Sequence, residues 1–308
     1  MKFFENVAEE FLVGNAAGWC KSVEEVRKLA QSTAQIIVVG SITVEERGGN
    51  PGNTFNGYSL NSLGLPNPGL KKIQEMAPEM IAIAHAAGKP IIMSVAGFVL
   101  GEYLRLSWKA YEMGFDGVEL NLGCPNVVVG GTRKPIACFD LHLTEGIVVS
   151  VGSMLKRANP DFFISVKVSP MSNPLQIIDT AELLARCNDI NAVVTQNTFP
   201  NALLFNDDGT PQIQTPDETG WAGLSGEKVK EQALGQVSQW RKALDSTGTS
   251  HIQVWGAGGV QYGRDVRDMQ FAGASFVQVG TAYFAGGAKV FGDIASEFLN
   301  LQPGETHE

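Results

Sequence analysis

A cysteine on a short loop is the residue best placed to do chemistry in this sequence. Cys124 lies in VELNLGCPNV, after an apolar run and between Gly123 and Pro125. Cysteine is commonly a small buried apolar residue, but here glycine and proline fix a loop just past a strand end, which is a poor place for core packing. A thiol there can accept a proton if its pKa is near the working pH. We therefore expect Cys124 to act as a general base and the other three cysteines to be packing residues.

A lysine interrupts one of the apolar runs. Lys167 stands in the middle of SVKVS, and a charge in such a run must be satisfied by something. One interpretation is a salt bridge to a neighbouring strand. The other is a cation held against negative charge that develops during a reaction. The second is favoured if the residue points inward near the end of a barrel strand, and it makes Lys167 a catalytic candidate.

Asparagines recur in the segments that follow predicted strands. They are Asn61, Asn67, Asn121, Asn126 and Asn197. Loop asparagines usually serve turns, but a primary amide carries both a donor and an acceptor. Several amides converging on one place can therefore match a flat ring edge with alternating N–H and C=O groups, as in a pyrimidine.

Two glycine-rich turns follow the last two predicted strands, GAGG at 256–259 and VGTA at 279–282. Paired turns of this kind, with helix N-termini behind them, bind phosphate in many barrels because bare backbone N–H groups can reach the oxygens. The candidates are Gly258, Gly259, Gly280 and Thr281. The alternative is that these glycines only permit tight turns between strand and helix.

The elements that must position these residues alternate along the whole chain. Continuous β-branched runs predict eight strands covered on both faces, at 11–15, 36–40, 91–97, 117–122, 163–168, 191–197, 252–257 and 275–280. Amphipathic stretches predict helices at 22–31, 69–88, 101–114, 143–158, 179–187, 226–244, 263–273 and 287–301. Eight such units in 308 residues predict an α/β fold, a TIM (β/α)8 barrel forming a single domain over 1–308, with an open doubly wound sheet as the alternative. Two long loops, 41–69 and 197–226, follow predicted strands and so belong at the C-terminal mouth.

Composition limits the classes of partner and cofactor. The net charge is −9, which argues against a nucleic-acid or anionic-membrane partner, and no apolar run is long enough to span a bilayer. Few, scattered cysteines without a CxxC pair predict a cytoplasmic protein with reduced thiols and no metal site. The four histidines lie outside the loops above, which argues against a histidine-based triad or a histidine metal site. The remaining candidate residues cannot accept electrons themselves, so redox chemistry would need a bound cofactor. A phosphate site, a lysine and a thiol base suit a flavin.

Several segments together match one known family. They are SLNSLGLPN (59–67), ELNLGCPN (119–126), VKVSP (166–170), GAGGV (256–260) and GASFVQVGTA (273–282), and through them the chain resembles the class 1 dihydroorotate dehydrogenases. The resemblance implies FMN at the barrel mouth, lined by Ala17, Gly18, Ser41, Asn121, Lys167, Gly223, Gly258, Gly259, Gly280 and Thr281. It also implies a pyrimidine substrate held by Asn61, Asn121, Asn126, Asn197 and Thr198. Cys124 would remove the C5 proton of dihydroorotate while the C6 hydride passes to flavin N5.

The resemblance extends to a subclass, with departures. A cysteine base and the absence of an N-terminal membrane segment are similar to class 1, and GLPN resembles the homodimeric subclass that uses fumarate as electron acceptor. The family lysine before S-x-T is Gly40 here, and the serine before the catalytic cysteine is Gly123. Losing that lysine leaves open a different dihydropyrimidine as substrate.

Two further functions remain as alternatives. NLGCP also resembles the cysteine motif of tRNA dihydrouridine synthases, although the acidic charge and the lack of an added helical domain argue against tRNA. A barrel that binds a phosphorylated ligand without catalysis is the other alternative. Replacing Cys124 by alanine would separate that binding protein from the enzyme.

Overall fold

The computed structural model describes residues 12–301. Its strands are β1 (Val13–Asn15), β2 (Ile37–Ile42), β3 (Leu60–Asn61), β4 (Ile91–Val95), β5 (Gly117–Asn121), β6 (Val128–Val129), β7 (Thr132–Arg133), β8 (Phe163–Lys167), β9 (Ala192–Val194), β10 (Phe199–Ala202), β11 (Ala222–Leu224), β12 (Gln253–Ala257) and β13 (Phe276–Val279). Its helices are α1 (Val23–Ala30), α2 (Gly69–Ala86), α3 (Leu100–Met113), α4 (Leu141–Ala158), α5 (Pro174–Cys187), α6 (Lys230–Ser246), α7 (Gly263–Phe271), α8 (Thr281–Gly286) and α9 (Lys289–Asn300).

Eight parallel strands form the predicted TIM barrel. Their order is β1-β13-β12-β9-β8-β5-β4-β2, and helices cover the outside. An amide closes the ring between the first and last strand of that order. The Asn15 side chain donates to the Val38 carbonyl at 2.7 Å and accepts from the Val38 N–H at 2.9 Å. A side chain thus takes the part that a backbone ladder plays between the other strands.

The inside of the barrel changes from apolar to polar along the strands. Side chains two residues apart share one face of a strand, so Phe163 and Lys167 of β8 lie on one face, as do Phe276 and Gln278 of β13. Phe163 and Phe276 pack on Trp255, with ring centroids at 5.1 and 4.5 Å. This aromatic cluster fills the part of the barrel near the strand starts and leaves the polar side chains at the strand ends.

The two long loops join in a second, three-stranded sheet of order β10-β11-β3. Gly223 of β11 pairs with Asn61 of β3, so the two loops predicted at the mouth are held as one unit. A two-stranded hairpin, β6–β7, follows Cys124. The sequence patterns did not predict these five short strands.

Some boundaries differ from prediction for clear reasons. Helix α5 begins at Pro174 and not at 179, because Asn173 caps it by accepting from the Leu175 N–H at 3.0 Å, and proline suits the first turn. The helix predicted at 287–301 is preceded by a separate short helix, α8, and Gly287 lies between them at φ +64°. Position 11 of the first predicted strand lies outside the described residues.

Between residues 12 and 301, no helix combines the length and apolarity needed to cross a bilayer.

Candidate functional site

A cavity opens at the carboxyl ends of the barrel strands, with about 1080 Å³ of free space that includes the solvent at its mouth. It brings together residues from nearly the whole chain, and most of the predicted site residues line it. These are Ala17, Gly18, Ser41, Asn61, Asn121, Cys124, Asn126, Lys167, Asn197, Thr198, Gly258, Gly259, Gly280 and Thr281.

Two predicted residues do not line the cavity. Gly223 lies beside it, where a Cβ would come within 2.1 Å of Thr198 Oγ1, so this glycine lets β11 pack against Thr198. Asn67 turns away, and its Oδ1 accepts from the N–H groups of Thr43 and Gly69 at 3.1 and 3.0 Å. The expectation that Asn67 joins the mouth asparagines is therefore wrong, since it holds the loop before α2.

Lys167 is buried and is connected to a carboxylate through an amide. Its Nζ donates to Gln278 Oε1 at 3.0 Å, and Gln278 Nε2 donates to Glu119 Oε2 at 2.7 Å. Burial lowers the pKa of Lys167, and the Glu119 charge acts in the opposite direction. An ammonium has three donors and Gln278 takes one of them, so the cation can still donate into the cavity.

The same network continues to the asparagines. Ser94 donates to Glu119 at 3.0 Å and lies 2.9 Å from the Ser41 hydroxyl. Asn121 Nδ2 donates to Ser41 at 2.8 Å, and Asn197 Nδ2 donates to Asn121 Oδ1 at 3.1 Å. These bonds fix which way the amides of Asn121 and Asn197 face, so the cavity wall is organised before any ligand binds.

Buried acceptors without partners mark where a ligand would donate. Asn126 and Gln196 are 3% and 4% exposed, and their side-chain carbonyl oxygens have no hydrogen-bond partner among the described residues. The Thr198 hydroxyl is in the same state. Leaving a buried acceptor unpaired costs about 1–3 kcal/mol. Because all three residues line the cavity, a ligand with N–H or O–H donors would recover that free energy.

The glycine turns divide into two kinds. Gly259 has φ +81°, and a Cβ there would lie 2.5 Å from Lys230 Cα, while Gly258 has φ +109°. Both are needed by the fold itself, as the tight-turn interpretation holds. At Gly280, φ is −108° and a Cβ would meet only the Ala16 Cβ at 3.5 Å. The fold does not require glycine there, so free space at position 280 is left for a ligand.

Opposing influences act on the thiol of Cys124. Burial raises its pKa, whereas the Asn126 backbone N–H and the positive charges of Lys134, Arg47 and Lys21 favour the thiolate. The net effect is a raised pKa. The thiolate form of Cys124 can serve as a base, but at neutral pH most of the protein carries the protonated thiol.

At both departures from the family pattern, Gly40 and Gly123, the surrounding backbone is close to the glycine. A Cβ at Gly40 would lie 2.4 Å from the Ser94 carbonyl oxygen, and φ is +123°. A Cβ at Gly123 would lie 2.4 Å from the Ser169 nitrogen. Neither position has room for a side chain in this backbone, so lysine at 40 is excluded by local packing.

An arginine connects the β6–β7 hairpin to the loop at 197–226. Arg133 donates to the Pro125 carbonyl at 3.1 Å and to the Trp221 carbonyl at 3.0 Å, and its guanidinium pairs with Asp217 at 3.0 Å. It thereby connects the segment after Cys124 to the 197–226 loop.

Sequence reasoning missed several residues of the site. Gln278 and Glu119 are polar residues within apolar strand runs, the same signal that identified Lys167, so they could have been found. Gln196, Lys21 and Phe55 carry no such pattern. Trp19 forms an aromatic wall with Phe55 and Phe284, with centroids at 5.9 and 4.0 Å from the Trp19 ring.

Comparisons with known proteins agree with this geometry. The protein-family model for dihydroorotate dehydrogenase matches residues 4–301. Dihydroorotate dehydrogenase (fumarate) of Lachancea kluyveri is 30% identical over 292 residues, which cover 93% of this chain and 88% of the relative. Dihydroorotate dehydrogenase A (fumarate) of Lactococcus lactis subsp. cremoris is 30% identical over 300 residues, covering 93% and 89%. A crystal structure of DHODH in complex with ferulenol from Eimeria tenella aligns with a TM-score of 0.75 at 18% identity, covering 96% of this chain and 82% of that one.

Proposed function

Because the chain belongs to the dihydroorotate dehydrogenase family, we propose that it oxidises dihydroorotate to orotate with FMN as cofactor and fumarate as electron acceptor. One observation carries this proposal. A thiol, a buried ammonium and unpaired amide oxygens face a single cavity at the mouth of the barrel. The named relatives are fumarate enzymes, which supports that acceptor.

The cavity residues fit a flavin mononucleotide. Lys167 has donors left for an electron-rich ring, Gln196 has an unpaired oxygen for a ring N–H, and Gly280 leaves space that the fold does not need. When bound, FMN supplies the hydride acceptor. The cavity residues that would hold FMN are Ala17, Gly18, Ser41, Asn121, Lys167, Gly258, Gly259, Gly280 and Thr281. Gly223 would contribute indirectly, because its lack of a side chain allows Thr198 to pack against β11.

The chain's own groups would orient the pyrimidine and move one proton. The unpaired oxygens of Asn126 and Thr198 accept from ring N–H groups, and Asn61 supports Asn126 through a 2.9 Å hydrogen bond. The Cys124 thiolate takes the C5 proton as the C6 hydride leaves, so the substrate loses two electrons and two protons and gains a C5–C6 double bond. Fumarate then takes up two electrons and two protons and becomes succinate.

Anaerobic mixing tests the proposal. Dihydroorotate should bleach the flavin absorbance of the purified protein, and fumarate should restore it. Bleaching by dihydrouracil but not by dihydroorotate would show a different dihydropyrimidine substrate. A protein that binds FMN but is reduced by no dihydropyrimidine would be the non-catalytic barrel, and a protein without flavin would overturn the proposal.

The family resemblance also leads us to propose a cytoplasmic homodimer. Tyr58, Phe205 and Trp221 are exposed by 54%, 57% and 46% on the two mouth loops, and a second copy would cover such side chains. Sedimentation should give twice the 33.0 kDa of one chain. A single-chain mass at micromolar concentration would refute the dimer.

A further inference from the structure

We infer that Lys21 binds the carboxylate of the substrate and supplies the cation that cannot be placed at Gly40. This inference rests on the proposed function, since it names the residue that would distinguish dihydroorotate from a neutral dihydropyrimidine.

The segment that carries Lys21 lies directly against position 40. The Gly18 N–H donates to the Gly40 carbonyl at 2.6 Å, and the Gly40 N–H donates to the Cys20 carbonyl at 2.8 Å. Lys21 is the next residue. Its backbone is therefore fixed beside the strand end from which a lysine at position 40 would have extended.

The Lys21 side chain reaches the cavity itself. It lines the cavity together with Leu63 and Leu65, and its Nζ donates to the Pro66 carbonyl at 2.5 Å. Pro66 follows Leu65 on the same wall. One of the three ammonium donors is used in this way, which leaves two for a ligand.

Lys21 is also the cavity cation without a carboxylate partner. Lys167, the other lysine on the wall, is balanced by Glu119 through Gln278. Among the described residues, no carboxylate lies within ion-pairing distance of the Lys21 ammonium. The Glu25 carboxylate is nearby, but its Oε2 accepts from the backbone N–H groups of Lys21 and Ser22 at 2.7 and 2.9 Å, where it caps α1.

Two more cations act on Cys124 but face elsewhere. Arg47 donates to the Gly64 carbonyl, and Lys134 donates to the Gly97 carbonyl. Both lie over the Phe98 ring, at 5.1 and 4.8 Å from its centroid, and neither lines the main cavity.

A carboxylate ligand would relieve an unfavourable state of the protein. Burial lowers the pKa of Lys21 to about 8, although the charges of Glu25 and Cys124 oppose this. The Lys21 amine is thus mostly charged at neutral pH, and this partly desolvated ammonium has a carbonyl partner but no carboxylate partner. Dihydroorotate and orotate carry a ring carboxylate that dihydrouracil and uracil lack, so the cation would favour the acids.

The test compares ligands on flavin-loaded protein. In Lys21→Met, the Kd for orotate measured by calorimetry should rise about 10- to 100-fold, the effect of one charged hydrogen bond. The Kd for uracil, the FMN content and the melting temperature should stay close to wild type. Lys21→Arg should keep most of the orotate affinity.

Lys89 offers a matched control. Burial lowers its pKa also to about 8, and its Nζ donates to the carbonyls of Leu29 and Ser32, but it does not line the cavity. Lys89→Met should leave orotate binding unchanged. Unchanged orotate binding in Lys21→Met, or loss of orotate and uracil binding alike, would overturn the inference. If the wild type neither binds orotate nor is reduced by dihydroorotate, the proposed function fails instead.

Discussion

Burial raises the pKa of the Cys124 thiol, and nearby positive charges lower it. Replacing this residue would show whether catalysis depends on the thiol while ligand binding does not. In Cys124→Ala, flavin reduction by dihydroorotate should slow by about 10²–10⁴-fold, the usual contribution of a positioned general base. FMN and orotate should still bind, because the amides of Asn121, Asn126 and Asn197 are fixed by other side chains. Anaerobic stopped-flow absorbance measures the rate. A variant reduced as fast as wild type would exclude the thiol as base.

The same thiol sets the pH dependence of the reductive half-reaction. A base acts when deprotonated, and burial raises the pKa of Cys124 despite Lys134, Arg47 and Lys21. At saturating dihydroorotate, the reduction rate should therefore increase with pH through the neutral range and level off only in the alkaline range. Cys124→Ser should not level off there, since a hydroxyl is a much weaker acid than a thiol. A wild-type rate that stays constant between about pH 6 and about pH 10 would contradict a cysteine base.

Single residues also show how far the sequence could predict the site. Lys167 stood out because a charge in an apolar strand needs a partner, and Glu119 and Gln278 proved to be that partner and its connection. Lys21 did not stand out, because it lies outside the predicted strands, just before the first predicted helix, where a lysine is ordinary. Its importance comes from the hydrogen bonds that hold Gly18 and Cys20 against Gly40. Contacts of that kind leave no periodic pattern.

At the scale of elements, the two glycine turns after β12 and β13 differ in what requires the glycine. The fold requires Gly259, whereas Gly280 leaves space for a ligand. Alanine at Gly280 would make only an ordinary contact with Ala16. At Gly259 the backbone has φ +81°, and the Cβ of an alanine would lie 2.5 Å from the Lys230 Cα. We expect the melting temperature of Gly280→Ala to stay close to that of the wild type. Its affinity for FMN should fall by about 1–3 kcal/mol, the usual effect of overfilling a packed site, which is roughly a 5- to 150-fold rise in Kd.

Gly259→Ala is the control for that variant, and it should lose stability by more than about 1 kcal/mol. Denaturant unfolding measures the stability of both variants, and fluorescence titration of the apoprotein with FMN measures affinity. An unchanged FMN Kd in Gly280→Ala would remove position 280 from the cofactor site.

Elements with a strong repeat were predicted well, and short elements were not. All eight barrel strands were found near their predicted positions, because strands covered on both faces must be continuously apolar. The strands β3, β10 and β11 are two to four residues long, too short for an apolar period. They exist because two distant loops pair with each other, which local sequence does not encode.

For the whole molecule, the eightfold repeat fixed the barrel and placed the strand ends at one mouth. That is why residues from 17 to 281 in the sequence could be assigned to one site before the structure was known. The charge of −9 did not identify the substrate, because the overall charge is negative while Lys21 adds a positive charge to the cavity wall that no carboxylate in the described residues balances. Net charge reports on large polyanionic partners and not on small acids that enter a cavity.

The shared cavity at the barrel mouth has a kinetic consequence. FMN and the pyrimidine would share the cavity at the strand ends, and a smaller pocket of about 310 Å³ lies on the other side of Cys124, which lines both. Because Lys21 can receive a carboxylate from either acid, we expect fumarate to enter where orotate has left. We expect parallel double-reciprocal plots when dihydroorotate and fumarate are varied, with orotate competitive against fumarate. Intersecting plots would mean that both acids bind at once, and fumarate would then need a place outside this cavity.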